Sequence, residues 1–146
     1  MKVLQILQRK GSDEIASVAP DTRVSEVVAE LGRRKIGCLL VLEGDGSIAG
    51  IVSERDIVRV IGERSASCLD EDVAAIMTSP VITCEKSDDD TIVLAKMTEG
   101  RFRHLPVVDD GSVVGLISIG DVVKARIDSL RSENEELENM IRAATA

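Results

Sequence analysis

The sequence predicts an α/β fold made of two β-α-β-β-α units in tandem, on three observations. The first is internal repetition. Gly50-Ile51-Val52-Ser53-Glu54-Arg55-Asp56-Ile57 returns as Gly115-Leu116-Ile117-Ser118-Ile119-Gly120-Asp121-Val122, with Gly, Ser and Asp in register and apolar residues paired between them. Upstream the match continues after a one-residue slip, setting Val27-Val28-Ala29-Glu30-Leu31 against Val93-Leu94-Ala95-Lys96-Met97. The second is periodicity. Val24, Val27, Val28 and Leu31 fall at helical spacing, while short apolar runs flank the Gly-rich turns Glu43-Gly44-Asp45-Gly46 and Asp109-Asp110-Gly111. The third is size. A chain of 146 residues, 44% hydrophobic, holds about one domain's core, and one such unit alone would expose a sheet face.

The elements follow in order. Lys2–Lys10 reads as a short helix stopped at Gly11. Each unit then opens on a short strand, near Ile15–Val18 and again near Val81–Cys84. Polar helix-start residues follow, Pro20-Asp21-Thr22 and Ser87-Asp88-Asp89-Asp90, where acids suit the positive helix end. Helices run to about Arg34 and Arg101, and a hairpin of two strands comes next. Second helices start at Ser53 and Ser118. A tail helix is expected from about Arg126 to Ala146. In it Ile127, Leu130, Asn134, Leu137 and Ile141 alternate by three and four, a heptad spacing with Asn134 at an a position. That stripe packs either on its own domain or against a partner chain. The divisions drawn are 1–71, 72–127 and a tail at 128–146, with the N-terminal helix counted in the first.

Composition excludes several functions. Net charge is −8, which repels nucleic acid and anionic lipid overall. One Phe and no Tyr or Trp leave no base-stacking platform, so any flat ring must be held by aliphatic side chains. Cys38, Cys68 and Cys84 form no Cys-x-x-Cys pair, and the lone His104 completes neither a zinc site nor a nucleophile elbow triad. The longest apolar run, Cys38–Leu42, is far below the ~18 residues of a membrane span, and no signal-peptide pattern opens the chain, so a cytoplasmic protein is expected. Gly44, Gly46 and Gly50 have the wrong spacing for a dinucleotide fingerprint and lie in a hairpin. Arg33-Arg34-Lys35 reads as a solvated helix end.

The closing pattern Gly-Ile-Val-Ser-Glu-Arg-Asp-Ile of the first unit resembles the end of a CBS motif. A second is carried by Arg103-His104-Leu105-Pro106-Val107-Val108 leading to Gly115-Leu116-Ile117-Ser118-Ile119-Gly120-Asp121-Val122, with Ile76-Met77-Thr78 as its lead-in. The chain from about Lys2 to Ile127 is similar to stand-alone tandem CBS proteins (Bateman modules) of bacterial type. The resemblance implies pseudo-twofold packing of two βαββα repeats through their sheets. It also implies clefts for an adenosine-containing ligand (AMP, ADP, ATP, NAD(H) or S-adenosylmethionine), a homodimer, and a regulated protein partner. No cofactor and no catalysis are implied. The alternative is a constitutive interaction module with no ligand.

Ser-x-x-Asp at a strand-to-helix junction suits either of two tasks. The carboxylate can accept both hydroxyls of a ribose, or it can close a capping box worth about 1 kcal/mol. Asp56 and Asp121, supported by Ser53 and Ser118, are the candidates. By the resemblance, Arg103 and His104 contact phosphate, where the first repeat has only Gly37 and Cys38. Arg55 at the first helix start is matched by Gly120. By the same resemblance, Ser17, Thr83 and the backbone at Val18 and Cys84 would line the base, and Leu105, Pro106 and Gly120 count among the ligand-binding residues. The two clefts should therefore be chemically unequal, and a phosphate-bearing ligand should prefer one.

Overall fold

The computed structural model describes residues 1–11 and 14–145. The first repeat contains β1 (Ser17–Val18), α2 (Val24–Arg34), β2 (Cys38–Leu42), β3 (Ile48–Ser53) and α3 (Glu54–Arg64), preceded by α1 (Val3–Lys10). Two 3-10 turns, Ala66–Asp70 and Val73–Ala75, lead to β4 (Cys84–Glu85), α4 (Asp90–Gly100), β5 (His104–Asp109), β6 (Ser112–Ser118) and α5 (Ile119–Thr145). Each repeat builds a three-stranded sheet, ordered β1-β2-β3 and β4-β5-β6, with the first pair parallel and the second antiparallel. Both hairpins break register at the same place, Val41/Leu42 and Val107/Val108, so the duplication extends to the backbone irregularity.

Local chemistry sets the element ends. Gly11 closes α1 with φ 71°, a left-handed turn that glycine adopts without steric cost, and its N–H donates to Leu7 O. Ser53 and Asp56 form a reciprocal capping box at α3: the Asp56 N–H donates to Ser53 Oγ at 3.2 Å, and the Ser53 N–H donates to Asp56 Oδ2 at 2.9 Å. Ser118 and Asp121 repeat it at α5, at 3.1 and 2.9 Å. The first helix of each repeat differs from expectation: α2 begins at Val24, after Arg23, with no side-chain cap. α4 begins at Asp90 with no side-chain cap, and Asp88 instead accepts the Glu85 N–H within the preceding turn.

Each sheet buries one face under its own two helices. Leu39, Val41 and Val52 join Val24, Val27, Leu31, Ile57 and Val60 in the first core. Leu105, Val107 and Ile117 join Val93, Met97, Val122 and Ala125 in the second. The lead-in segments cross over. α1 comes first in the chain but places Val3 and Ile6 in the second core, while Cys68, Val73 and Ile76 seal the first. A glycine sits beneath each lead-in. A Cβ added at Gly50 would lie 2.5 Å from Met77 Sδ, and one at Gly115 would lie 2.8 Å from Leu7 Cδ2.

The opposite face of β2, with Cys38 and Leu40, is buried as well, as expected where both sides of a sheet are covered. The repeats touch at its edge, where a Cβ added to Gly37 would come within 3.3 Å of the His104 ring. The tail is not a separate element. α5 runs unbroken for 27 residues, about 40 Å. Val122 and Ala125 anchor its start, and Arg126 donates to the buried carboxylate of Asp90 at 3.2 Å.

Candidate functional site

Two clefts lie where one repeat meets the other. The first, of about 570 Å³, is floored by Ser53, Arg55, Asp56 and Arg59 at the start of α3. Thr78, Pro80, Val81 and Ile82 form one wall, and the segment from Gly100 to His104 forms the other. The second, of about 640 Å³, sets Ser118 and Asp121 of α5 against Ile36, Gly37 and Cys38, with Lys10, Glu14, Arg33 and Arg34 at its rim. His104 and Gly37 line both.

The two aspartates face different company. Asp56 Oδ1 accepts the Thr78 hydroxyl at 3.3 Å and Arg59 at 3.4 Å, and Oδ2 stays in the capping box. Asp121 is held by its own chain. Lys10 Nζ donates to Asp121 Oδ2 at 3.0 Å and to Leu116 O at 2.8 Å, so an ammonium at the end of α1 occupies that cleft's carboxylate. Burial pushes the Asp121 carboxyl up, but the Ser118 amide and the Lys10 ammonium outweigh it and hold the group below the usual carboxylate range.

The cations divide the same way. In the second cleft, Lys10 answers Asp121, while Arg33 and Arg34 both clamp Glu30 and Arg34 also reaches Glu14 at 2.8 Å. In the first cleft, Arg55, Arg101 and Arg103 have no side-chain hydrogen bond or ion pair among the described residues. Four arginines there face two acids, Glu54 and Asp56, in a chain whose net charge is −8. Burial lowers the His104 pKa from its ordinary 6.5, outweighing the upward pull of Asp121, so the shared imidazole is neutral near pH 7. Ile51, Val81 and Ile82 add the aliphatic surface, and Phe102 sits beside Gly100, where a side chain would overlap its ring.

Gly37, Ser53, Arg55, Asp56, Arg103 and His104 are thus brought together in the first cleft, and Gly37, Cys38, His104, Ser118 and Asp121 in the second. Others fall outside both. Ser17 and Val18 form β1 alongside Leu40 and Val41, Cys84 is buried in the second core, and the Thr83 carbonyl accepts Lys96 Nζ at 2.8 Å. The strands begin later than the periodicity predicts, so the residues just ahead of them, Pro80–Ile82 and Glu14–Ala16, reach the clefts instead. Leu105 points into the second core, Pro106 is buried away from the clefts, and Gly120 is exposed on the first turn of α5. Burial raises the thiols of Cys38 and Cys84 to about 12. The sequence reading misses Thr78, Arg59, Arg101 and Phe102 in the first cleft and Lys10 in the second. Arg33 and Arg34 line a cleft as well as ending a helix. Thr78 had a signal, since it belongs to the lead-in Ile76-Met77-Thr78.

Residues 6–63 and 73–128 each match the family model described as CBS domain. A mitochondrial CBS domain-containing protein of Arabidopsis thaliana is 30% identical over 147 residues, covering 96% of this chain and 71% of the relative. The crystal structure of a CBS-domain containing protein from Agrobacterium tumefaciens superposes with a TM-score of 0.82 at 39% identity, covering 86% of this chain and 92% of that one. A CBS domain protein from Pyrobaculum aerophilum, solved in complex with AMP, superposes with a TM-score of 0.72 at 29% identity, covering 83% and 89%.

Proposed function

The chain belongs to the CBS-domain family, with the domain present twice, and we propose that it is a regulatory module binding a phosphate-bearing adenosine ligand in the Asp56 cleft. The observation that carries this reading is a set of three guanidiniums, Arg55, Arg101 and Arg103, that have no side-chain partner among the described residues and line the same cleft as Asp56 and Thr78. Asp56 Oδ1 accepts a ribose hydroxyl in exchange for its long bond to Arg59, beside the Thr78 hydroxyl. The arginines supply charge-assisted bonds to phosphate, and Val81, Ile82 and Ile51 hold the purine between aliphatic surfaces. AMP suits this cleft, and the Pyrobaculum protein with AMP bound supports the choice. The sulfonium of S-adenosylmethionine would add a fifth cation and is disfavoured.

Because the cleft takes Asp56 from one repeat and Arg103 from the other, a bound ligand ties the repeats together. It shifts their packing only as far as it prefers one arrangement, and that differential affinity is the signal passed to a protein partner. The role is regulatory and not catalytic. The working unit is a homodimer, for which the exposed Val28, Val58 and Val123 on the helical faces offer apolar surface. The second cleft stays closed to phosphate by the Lys10–Asp121 pair. Three buried free thiols fit a reducing compartment such as the cytoplasm, and no helix among the described residues is long and apolar enough to cross a membrane.

Thermal shift and calorimetry with AMP, ADP, ATP, adenosine and S-adenosylmethionine test the reading. AMP at a hundred times its dissociation constant should stabilise the fold by about 2.7 kcal/mol. Adenosine should bind more weakly and S-adenosylmethionine least. No response to any adenosine compound overturns the proposal.

A further inference from the structure

From Leu130 to Thr145, α5 stands clear of both repeats with every residue exposed. A lone helix of this length is marginal in water, because most helical stability comes from burying a face. This helix has a face to bury. Leu130, Leu137 and Ile141 are 50%, 56% and 63% exposed, and with Ile127 and Asn134 they keep the a/d spacing of a coiled coil.

Charge indicates what covers that face. With Ile127, Asn134 and Ile141 at a and Leu130 and Leu137 at d, the charged residues flanking the stripe are Arg126 and Arg131 in its first half and Glu133 and Glu138 in its second, while Asp128, Glu135, Glu136 and Arg142 lie on the outer face. A parallel, in-register pair of such helices would set Glu133 of one copy beside Glu138 of the other, and Arg126 beside Arg131, like charge against like at the flanking positions. Reversing one helix lays the acidic half along the basic half. Leu130 then faces Ile141 of the other copy. Arg126 is already held by Asp90, so Arg131 is left to meet Glu138 across the seam. We infer that the free part of α5 is an antiparallel coiled-coil contact with a second copy of this chain. Asn134 then faces Leu137 in the seam, a polar residue that fixes register at a cost in affinity. This contact is independent of the nucleotide reading and of the apolar surfaces on the repeats.

Light scattering of the full chain over a range of concentration tests it. Leu137→Glu should raise the dissociation constant by roughly tenfold or more. Arg131→Glu and Glu138→Arg should each raise it by about two- to fivefold, and the double exchange should restore it. A parallel pair gives Glu138→Arg the opposite sign, since it relieves the Glu133 contact. All these side chains are exposed, so an unchanged melt of the dilute protein confirms that the fold is intact. Mixing Leu130→Cys with Ile141→Cys chains should give 130–141 disulfides between copies, undisturbed by the three buried native cysteines. Association unmoved by Leu137→Glu, tightening by Glu138→Arg, or 130–130 crosslinks in preference would each overturn the inference.

Discussion

The Asp56 cleft and the Asp121 cleft share one frame. Each sets a capping-box aspartate at a helix start against the edge of the other repeat's sheet, with the same bonds to the serine three residues back. They differ in what answers the carboxylate and the cations. In one, the chain's own Lys10 takes Asp121, and Glu30 takes Arg33 and Arg34. In the other, beyond its capping box Asp56 accepts only long bonds from Thr78 and Arg59, while three arginines have no side-chain partner among the described residues. Duplication reproduces backbone geometry, and a few side chains arriving from lead-in segments and helix ends decide how the carboxylate and the cations of each copy are answered.

The contrast can be broken most sharply at the arginines. Arg103→Ala or Arg101→Ala should each weaken AMP binding by about tenfold or more, the scale of a lost charged hydrogen bond. Calorimetry checks this, and loss of less than twofold from both would return the arginines to ordinary surface charge. The next effect concerns the plug. Lys10→Met should release Asp121 and raise adenosine affinity several-fold, adding a second site per chain while the AMP site stays as it was. An unchanged stoichiometry would show that Lys10 is not what closes the second cleft.

Two smaller effects sharpen the boundary between the clefts. Gly37→Ala pushes a methyl to within 3.3 Å of the His104 ring, so the ring must give way, at a cost of about 1 kcal/mol in urea melts. His104 itself gives a pH signature. Its folded pKa lies below the ordinary 6.5, so the unfolded chain binds the proton more readily. The stability that follows is complete above about pH 6.5 and is lost as pH falls through the folded value. His104→Gln should flatten that limb of the stability curve, and an unaltered slope would place the imidazole in water.

The repeat, its hairpins and both capping boxes were legible in the sequence because they rest on local spacing and on matched residues such as Ser53 with Ser118. The chemical inequality of the clefts was legible too, from Arg103 against Gly37 and Arg55 against Gly120. What escaped was whatever depends on chain crossing. Nothing local in Val3 or Ile6 shows that α1 packs on the second repeat, and so nothing shows Lys10 arriving at Asp121. The resemblance expects Ser17 and Thr83 to line the base, yet β1 and β4 are only two residues long and the residues just ahead of them reach the clefts. The continuity of α5 did have a signal, since no glycine or proline follows Gly120 before Thr145 to break a helix near Arg126.

The central claim is that the two copies of one site have become one receptor and one closed cleft. Calorimetric titration of AMP into the native chain and into its Asp56→Asn and Asp121→Asn variants tests it directly. The account predicts one site per chain, lost in Asp56→Asn and retained with affinity within about twofold in Asp121→Asn. Two equal sites in the native chain, or loss of binding through Asp121 alone, would contradict it.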